Sequence, residues 1–255
     1  MGISTDARRE EIIDLIRENG KVRVAELSEK YNISEVSIRK DLEVLEAQGH
    51  LSRVHGGAVG LNKLYVNMDL NERFKTNAQA KRHLAEYAAQ FIEDNDTIMM
   101  NAGTTLTYVL RAIRDKKNIS IVTNSVQNAM EAALYPDFNV ILLGGKLDSK
   151  YQFTYGEDAI SQIENYHATK CILSVDGICS SSGLTLYYSN EASLAKKMIE
   201  CSGVVIVTAD SSKLGKNAFA RITDASKMDV LVTTKAEKRE ELEKLKKIGV
   251  KVFEA

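Results

Sequence analysis

The stretch "ISEVSIRKDLEVLEAQGHLSRVHGGAV", residues 33–59, combines an amphipathic helix with a short extended segment and a glycine turn. Ile38, Leu42 and Leu45 recur at helical spacing and define one apolar face. Gly49 marks the end of the helix. A long helix that runs into a strand and a glycine turn is typical of a winged helix-turn-helix.

Two further helices are predicted before this stretch, at residues 5–19 and about 25–31. The third helix spans about 35–48, and Ser34 is suited to its N-cap because a short hydroxyl can accept a hydrogen bond from a free backbone amide. The second and third helices are thus joined by a tight turn. This arrangement predicts a DNA-binding domain over residues 1–60.

The N-terminal end of the third helix carries short hydroxyls and long charged side chains on its exposed side. That end of a helix-turn-helix enters the major groove, where such groups reach base edges and phosphates. The candidate DNA-binding residues on the helix are Ser34, Glu35, Ser37, Arg39 and Lys40. On the wing, Arg53 and His55 are candidates for contacts with the backbone or the minor groove. The alternative is an ordinary three-helix bundle with a solvated charged face.

Net charge does not support DNA binding by itself. The formal net charge of the chain is −1, and residues 1–60 hold nine Lys and Arg against eleven Asp and Glu. A uniformly basic domain is therefore excluded. DNA binding requires a basic face that is segregated from the acidic residues.

From about residue 76 the pattern changes to apolar, β-branched runs that alternate with helical segments. Such continuous runs are typical of parallel strands buried on both faces. The predicted strands are 97–102, 119–124, 139–145, 170–177, 204–210 and 229–234, and helices are predicted at 105–114, 125–134, 192–200 and 236–248. The sequence therefore predicts an open, mostly parallel, Rossmann-like α/β domain over residues 76–255, joined to the first domain by a linker at 61–75.

Polar residues follow most of these strands, and ligands bind at the carboxyl ends of the strands in open α/β sheets. "NAGTT" places a glycine turn before a helix N-terminus, which favours an anion. Lys213 offers a cation to a phosphate, while Asp176 and Asn124 suit sugar hydroxyls. The candidate ligand-binding residues are Gly103, Thr104, Thr105, Thr123, Asn124, Gly144, Gly145, Asp176, Gly177, Glu191 and Lys213. The structural alternative for each is a turn residue that follows a strand.

The 26-residue block "ISEVSIRKDLEVLEAQGHLSRVHGGA" resembles the winged helix-turn-helix of the DeoR family of bacterial transcription regulators. In that family the recognition helix carries a "TIRRDL"-like run, and "RVHGGA" follows it. Ser37 stands for the usual threonine and Lys40 for the second arginine, so both positions keep their chemical type. The resemblance continues through almost the whole chain in the short motifs "NAGTT", "VTNS", "LLGG", "DG" and "DSSK".

The resemblance implies a sensor domain similar to sugar-phosphate isomerases such as ribose-5-phosphate isomerase, with a phosphorylated sugar as effector. It also raises the alternative that the second domain is an isomerase-like enzyme with a DNA-binding appendage. Those enzymes follow their "DG" with a further acid, whereas "DGICSSSGL" has none, and Glu191 is the only nearby carboxylate considered as a base. Binding without turnover is therefore predicted. The family commonly has aspartate where this chain has Asn101, a difference that bears on which sugar is recognised.

The combined expectation is a cytoplasmic transcription regulator, most simply a repressor of carbohydrate-utilisation genes. The acidic N-terminal segment does not fit a secretory signal, and no apolar run approaches the roughly 20 residues of a membrane span. No catalytic residue, metal or cofactor is predicted. The expected partners are double-stranded operator DNA, a phosphorylated sugar and further copies of the chain in a homodimer or homotetramer, since one helix-turn-helix covers only a half-site. The remaining alternative is a scaffold that senses no ligand.

Overall fold

The computed structural model describes residues 4–19, 21–47, 51–54, 56–60, 70–236 and 239–255. The chain divides into two compact units, Met1–Met68 and Asp69–Ala255. Among the described residues, no helix combines the length and apolar character needed to cross a membrane.

The first unit is a helical bundle with a small sheet. Its helices are α1 (Thr5–Asn19), α2 (Val24–Tyr31) and α3 (Glu35–Ala47). Its strands are β1 (Lys21–Arg23), β2 (Leu51–Val54) and β3 (Gly57–Gly60), which pair antiparallel in the order β1-β3-β2. The hairpin β2-β3 is the wing, and the addition of β1 to it was not predicted because three residues are too few to show a period.

The turn between α2 and α3 has a specific backbone cause. Asn32 adopts a left-handed conformation with φ 51° and ends α2, and the amide of Ile33 donates to the carbonyl of Ser28. Ser34 caps α3, because its hydroxyl accepts from the amide of Ser37 at 3.3 Å. The apolar face predicted for α3 is buried in the core of this unit, which confirms the orientation of the helix.

The second unit is built on a seven-stranded sheet in which each neighbouring pair is parallel. Its strands are β4 (Thr97–Met100), β5 (Ile119–Thr123), β6 (Phe138–Leu142), β9 (Ala168–Ser174), β12 (Ser202–Ala209), β14 (Val230–Thr233) and β15 (Lys251–Glu254). Their order in the sheet is β15-β14-β12-β9-β4-β5-β6. Six of them were predicted, whereas β15 was not, since "KVFE" is short and half charged.

Helices and small sheets surround this parallel sheet. The helices are α4 (Leu70–Lys75), α5 (Ala78–Ala88), α6 (Thr104–Ala112), α7 (Val126–Ala132), α8 (Glu157–Ile163), α9 (Ser189–Glu200) and α10 (Arg239–Lys247). An antiparallel hairpin joins β7 (Lys146–Asp148) to β8 (Phe153–Tyr155). Three further antiparallel strands, β10 (Gly177–Cys179), β11 (Gly183–Leu186) and β13 (Ala220–Thr223), form a separate sheet.

Two differences from the predicted bounds matter for function. Strands were predicted to include the polar residues that follow them, but β4 ends before Asn101 and β9 ends before Asp176. Those polar side chains consequently lie on loops at the carboxyl edge of the sheet. In addition, Leu70–Lys75, inside the predicted linker, form helix α4; residues 61–69 of that linker lie outside the described residues.

Candidate functional site

The N-terminal end of α3 is a solvent-facing polar surface. The five residues proposed to contact DNA from this helix are all exposed. Nη2 of Arg39 donates to Oε2 of Glu35 at 2.6 Å, an i,i+4 ion pair, and the hydroxyls of Ser34 and Ser37 lie 3.0 Å apart. These partners restrict the directions in which the side chains point before any DNA is bound.

On its buried side, the same helix forms ion pairs with α1. Asp41 is only 2% exposed and accepts from Nε of Arg8 at 2.8 Å and from Nε of Arg9 at 2.9 Å. Removing one partner of a buried ion pair leaves an uncompensated charge, so this triad strongly couples the position of α3 to α1.

On the wing, Arg53 is exposed and its Nε donates to Oε2 of Glu46 at 2.9 Å. The amide of Arg53 also donates to Oε1 of Glu46, at 2.7 Å, so a single carboxylate orders both the strand and its side chain. His55, the other wing residue proposed from the sequence, lies outside the described residues.

In the second unit, parallel pairing brings the polar strand ends to one edge of the sheet. Along this edge the order is Lys213 after β12, Asp176 after β9, Asn101 after β4, Asn124 after β5 and 144–145 after β6. Neighbouring strands lie about 4.8 Å apart, so the ends of β12 and β6 are separated by about 19 Å. One small ligand cannot contact both of these ends, and a site centred on β9, β4 and β5 is the more compact choice.

Asn101, which follows β4, is hydrogen-bonded to the end of β9 and to Glu191. Its side chain is 1% exposed, and its Nδ2 donates to the carbonyl of Ser174 at 3.0 Å and to Oε1 of Glu191 at 3.1 Å. Its Oδ1 accepts from the amide of Ser174 at 2.9 Å. An ionised aspartate could accept from that amide but could not donate to either oxygen. The amide of Asn101 therefore has a definite structural role that an aspartate at this position would not fill.

Glu191 is a buried acid, 5% exposed, at the start of α9. Burial raises its pKa to about 8, with the charge of Asp176 adding to the rise, while Arg73 and the hydrogen bond from Asn101 oppose it. Glu191 is thus mainly protonated at neutral pH. Asp176, by contrast, accepts from the amide of Tyr187 at 3.0 Å through Oδ2.

Three buried polar atoms at this edge have no hydrogen-bond partner among the described residues. Oγ1 of Thr233 lies at the end of β14, whereas Oγ1 of Thr104, at the N-terminus of α6, and Oδ1 of Asn124 lie near the centre of the sheet. Thr104 and Asn124 are 4% and 0% exposed, and Nδ2 of Asn124 donates to the carbonyl of Thr154 at 3.0 Å. Burying a polar atom without a partner costs about 1–3 kcal/mol, so these atoms mark a place suited to a ligand.

Other residues proposed from the sequence have structural roles here. A Cβ on Gly103 would lie 2.6 Å from Cβ of Ser174, so packing alone requires a glycine here, and the predicted ligand approach stays a prediction. The hydroxyl of Thr123 accepts from the amide of Ser125 at 3.1 Å. Gly145 has φ +119°, and a Cβ there would lie 2.6 Å from the carbonyl oxygen of Tyr155. A Cβ on Gly177 would clash with the carbonyl oxygen of Lys216, whereas one on Gly144 would meet only the end of the Gln162 side chain, at 3.0 Å. Thr105 is buried on α6.

Sequence reasoning missed Lys81, which is 5% exposed although it is a lysine. Its Nζ donates to the carbonyl of Arg73. Burial lowers its pKa to about 8, with Asp210 acting in the opposite direction and Lys213 and Arg73 adding to the fall. Lys81 therefore belongs to the same charged cluster as Lys213. The available signal was its place on the buried stripe of α5 with Leu84, Ala85 and Ala88.

Arg73 was also missed, since it lies in the predicted linker. Its guanidinium lies 4.3 Å from the ring centroid of Tyr151, which contacts Tyr188 at 4.8 Å between centroids. Its charge acts on the pKa of Glu191 as well as on that of Lys81. Helix α4 thus contributes charge to the candidate ligand site.

Comparison with known proteins identifies both units. Residues 8–63 match the DeoR-like helix-turn-helix domain, and residues 76–235 match the DeoR C terminal sensor domain. The chain belongs to the DeoR family. The family resemblance and the fold class expected from the sequence are confirmed, and the protein is a DNA-binding transcriptional regulator.

Similar family members cover most of the chain. The glycerol-3-phosphate regulon repressor of Escherichia coli is 32% identical over 89% of each chain, and the HTH-type transcriptional regulator GolR of Listeria innocua is 31% identical over the same share of each. Among solved structures, ribose 5 phosphate isomerase A from Neisseria gonorrhoeae gives a TM-score of 0.41 and 21% identity over 54% of each chain. That score is too low to support a functional conclusion.

Proposed function

We propose that the protein is a repressor of carbohydrate-utilisation genes whose operator affinity is controlled by a phosphorylated sugar. The family supports the DNA-binding half, and one relative is named a glycerol-3-phosphate regulon repressor. The observation that carries the ligand half is the pair of buried, unpartnered oxygens of Thr104 and Asn124 at the carboxyl edge of the sheet.

The charges near the edge suit the two ends of a sugar phosphate. Free amides at the N-terminus of α6, the hydroxyl of Thr104 and the ammonium groups of Lys213 and Lys81 provide donors and positive charge for the phosphate. Asp176 and protonated Glu191 provide an acceptor and a donor for hydroxyl groups. The proposed ligand-binding residues with the strongest structural support are therefore Thr104, Asn124, Asp176, Glu191 and Lys213, together with Lys81.

The DNA-binding half rests on the exposed end of α3. Ser34, Ser37, Arg39 and Lys40 contact the major groove and its phosphates, and Arg53 of the wing contacts the flanking backbone. One unit reads one half-site, so the functional form is a homodimer or homotetramer on double-stranded DNA in the cytoplasm.

Binding rather than catalysis is supported by the family, since its similar members are named transcriptional repressors and regulators. The segment "GICSSSGL" after Asp176 also carries no further acid that could act as a base. We therefore assign no turnover to this site. The competing isomerase hypothesis predicts conversion of pentose or hexose phosphates by the purified chain.

Thermal melting of the full chain against a panel of sugar phosphates and their unphosphorylated parents tests the ligand half. A ligand at 100 times its Kd stabilises the folded state by about 2.7 kcal/mol. We expect one phosphate to raise the Tm while its parent sugar does not, and Lys213→Ala to remove most of the shift. Lys227→Ala is the matched control, because Lys227 also ends a short 3-10 turn but is exposed and follows β13. Absence of a shift across the panel would contradict the proposal.

A further inference from the structure

One apolar side chain interrupts the polar end of the recognition helix. Val36 is 72% exposed, although the cores of both units hold many buried valines and isoleucines. Neither apolar burial nor helix propensity favours a valine at this position. Burying an apolar side chain stabilises a protein, a gain that an exposed valine largely forgoes, and β-branching lowers helix propensity relative to alanine.

The position of Val36 on α3 is defined by the helix period. Val36, Arg39, Lys40 and Glu43 follow the i, i+3, i+4, i+7 spacing, and all four are exposed. The buried face of the same helix consists of Ile38, Leu42 and Leu45. Val36 therefore lies on the same side of the helix as the two basic residues proposed to contact DNA, and one turn closer to the N-terminal end that enters the groove.

The neighbours of Val36 differ from it in that they are hydrogen-bonded to one another. Arg39 is paired with Glu35 at 2.6 Å, and the hydroxyl oxygens of Ser34 and Ser37 lie 3.0 Å apart. These polar groups exchange one set of hydrogen bonds for another when they meet DNA, so their net gain is modest. Val36 loses no hydrogen bond on binding, so removal of its methyl groups from water contributes directly to the binding free energy.

From these observations we propose that Val36 reads a thymine by packing its methyl groups against the thymine C5 methyl in the major groove. Thymine is the base that presents an apolar group there, so an apolar contact distinguishes it from the other bases. This inference rests on the proposed operator binding and adds to it a specificity-determining residue and a base.

The test begins with selection of duplexes from a random pool by the purified full chain. Each thymine of the selected operator is then replaced by deoxyuridine, which removes only the C5 methyl group. Loss of one buried methyl corresponds to roughly fourfold weaker binding per half-site. We expect this loss at one thymine of each half-site with the wild-type chain. Val36→Ala should bind the thymine operator roughly fourfold more weakly per half-site and should be indifferent to deoxyuridine at that position.

Two controls separate this contact from general effects. Alanine has the higher helix propensity, so Val36→Ala should keep the wild-type Tm. Val204→Ala removes a part-exposed valine from the sensor unit and should leave the deoxyuridine profile unchanged. An operator bound equally well by wild type and Val36→Ala, or the same deoxyuridine profile for both, would overturn the role of Val36 while leaving operator binding intact. Failure to select any duplex would overturn the proposed function, and this inference with it.

Discussion

The two units place their polar side chains in opposite ways. At the end of α3 the polar groups are exposed and paired with one another, as in the Arg39–Glu35 ion pair. At the carboxyl edge of the sensor sheet most of them are buried, and the side chains of Thr104 and Asn124 each have an oxygen without a hydrogen-bond partner among the described residues. An exposed and ordered surface suits a large, highly charged partner. Buried donors and acceptors with unused capacity suit a small molecule that is enclosed.

This difference shows where substitutions should act. A change on the exposed surface should alter binding with little effect on folding, since exposed ion pairs contribute at most about 1 kcal/mol. A change among the buried groups should alter folding as well, and its sign depends on whether the group lost is satisfied.

The largest effect expected is from Asp41→Ala, which breaks the part-buried ion pairs beneath the exposed face of α3. Both Arg8 and Arg9 lose their carboxylate, and the free energy of unfolding of the first unit should fall by about 3 kcal/mol. Urea unfolding measures this loss. Glu43→Ala, an exposed change two residues further along α3, is the control and should have little effect. Equal stability of the two variants would show that the ion pairs of Asp41 do not stabilise the first unit.

The next effect is a pH dependence in the buried site. Because the pKa of Glu191 is raised from about 4.5 to about 8, its stabilising contribution is present at pH 4.5 and is lost as pH rises through 8. Glu191→Gln has no proton to lose. The stability difference, variant minus wild type, should therefore increase by about 1.4 kcal/mol per pH unit within this window. Urea unfolding followed by tyrosine fluorescence at pH 5, 6, 7 and 8 measures it, with exposed Glu157→Gln as control. A pH-independent difference would show that Glu191 is ionised throughout.

On the exposed surface, Arg39→Ala should weaken operator binding by about 1–3 kcal/mol, roughly fivefold to 150-fold. The Tm should stay close to that of wild type, since the Arg39–Glu35 pair is exposed. Arg221→Ala removes another exposed arginine from a short-range ion pair, with Asp224 of the sensor unit, and should leave operator affinity unchanged. A gel-shift titration compares the three chains. Wild-type affinity in Arg39→Ala would exclude that arginine from the interface.

The smallest effect compares two threonines of α6. Thr104→Val removes a buried hydroxyl without a partner and should raise the free energy of unfolding by about 1 kcal/mol while abolishing the ligand-induced shift. Thr107→Val removes a hydroxyl that donates to Oδ1 of Asn128 at 2.6 Å and should lower the free energy of unfolding by a similar amount. Denaturant unfolding of both variants measures whether each substitution raises or lowers the free energy of unfolding. Destabilisation by both substitutions would show that Thr104 is satisfied in the folded chain.

Much of the fold could be predicted because its periodicities are strong. The three helices of the first unit and six strands of the large sheet follow from apolar spacing and from continuous β-branched runs. The short, partly polar strands could not be assigned to sheets in this way. β1 and β13 pair with strands more than 30 residues away in the sequence, and β7, β8, β10 and β15 are too short to show a period.

The candidate sites were predictable only in part. Polar strand ends indicated one shared edge of the sheet, since all parallel strands end there. The contact between Asn101 and Glu191 joins residues 90 positions apart, and no local pattern indicates it. Arg73 was hidden in a segment with no visible period. Lys81 and Val36 did leave a signal, because each has the wrong polarity for its helix face, a buried lysine and an exposed valine.

The central claim is that ligand binding at the sheet edge changes the affinity of the exposed surface for DNA. The most direct measurement is operator affinity of the wild-type chain with and without the sugar phosphate that raises its Tm, repeated with Lys213→Ala. Allosteric coupling typically amounts to about 5–150-fold. We predict a weakening in that range for wild type and little change for Lys213→Ala, with equal affinities when no ligand is present. Unchanged operator affinity of the wild-type chain at a saturating concentration of that phosphate would contradict the claim.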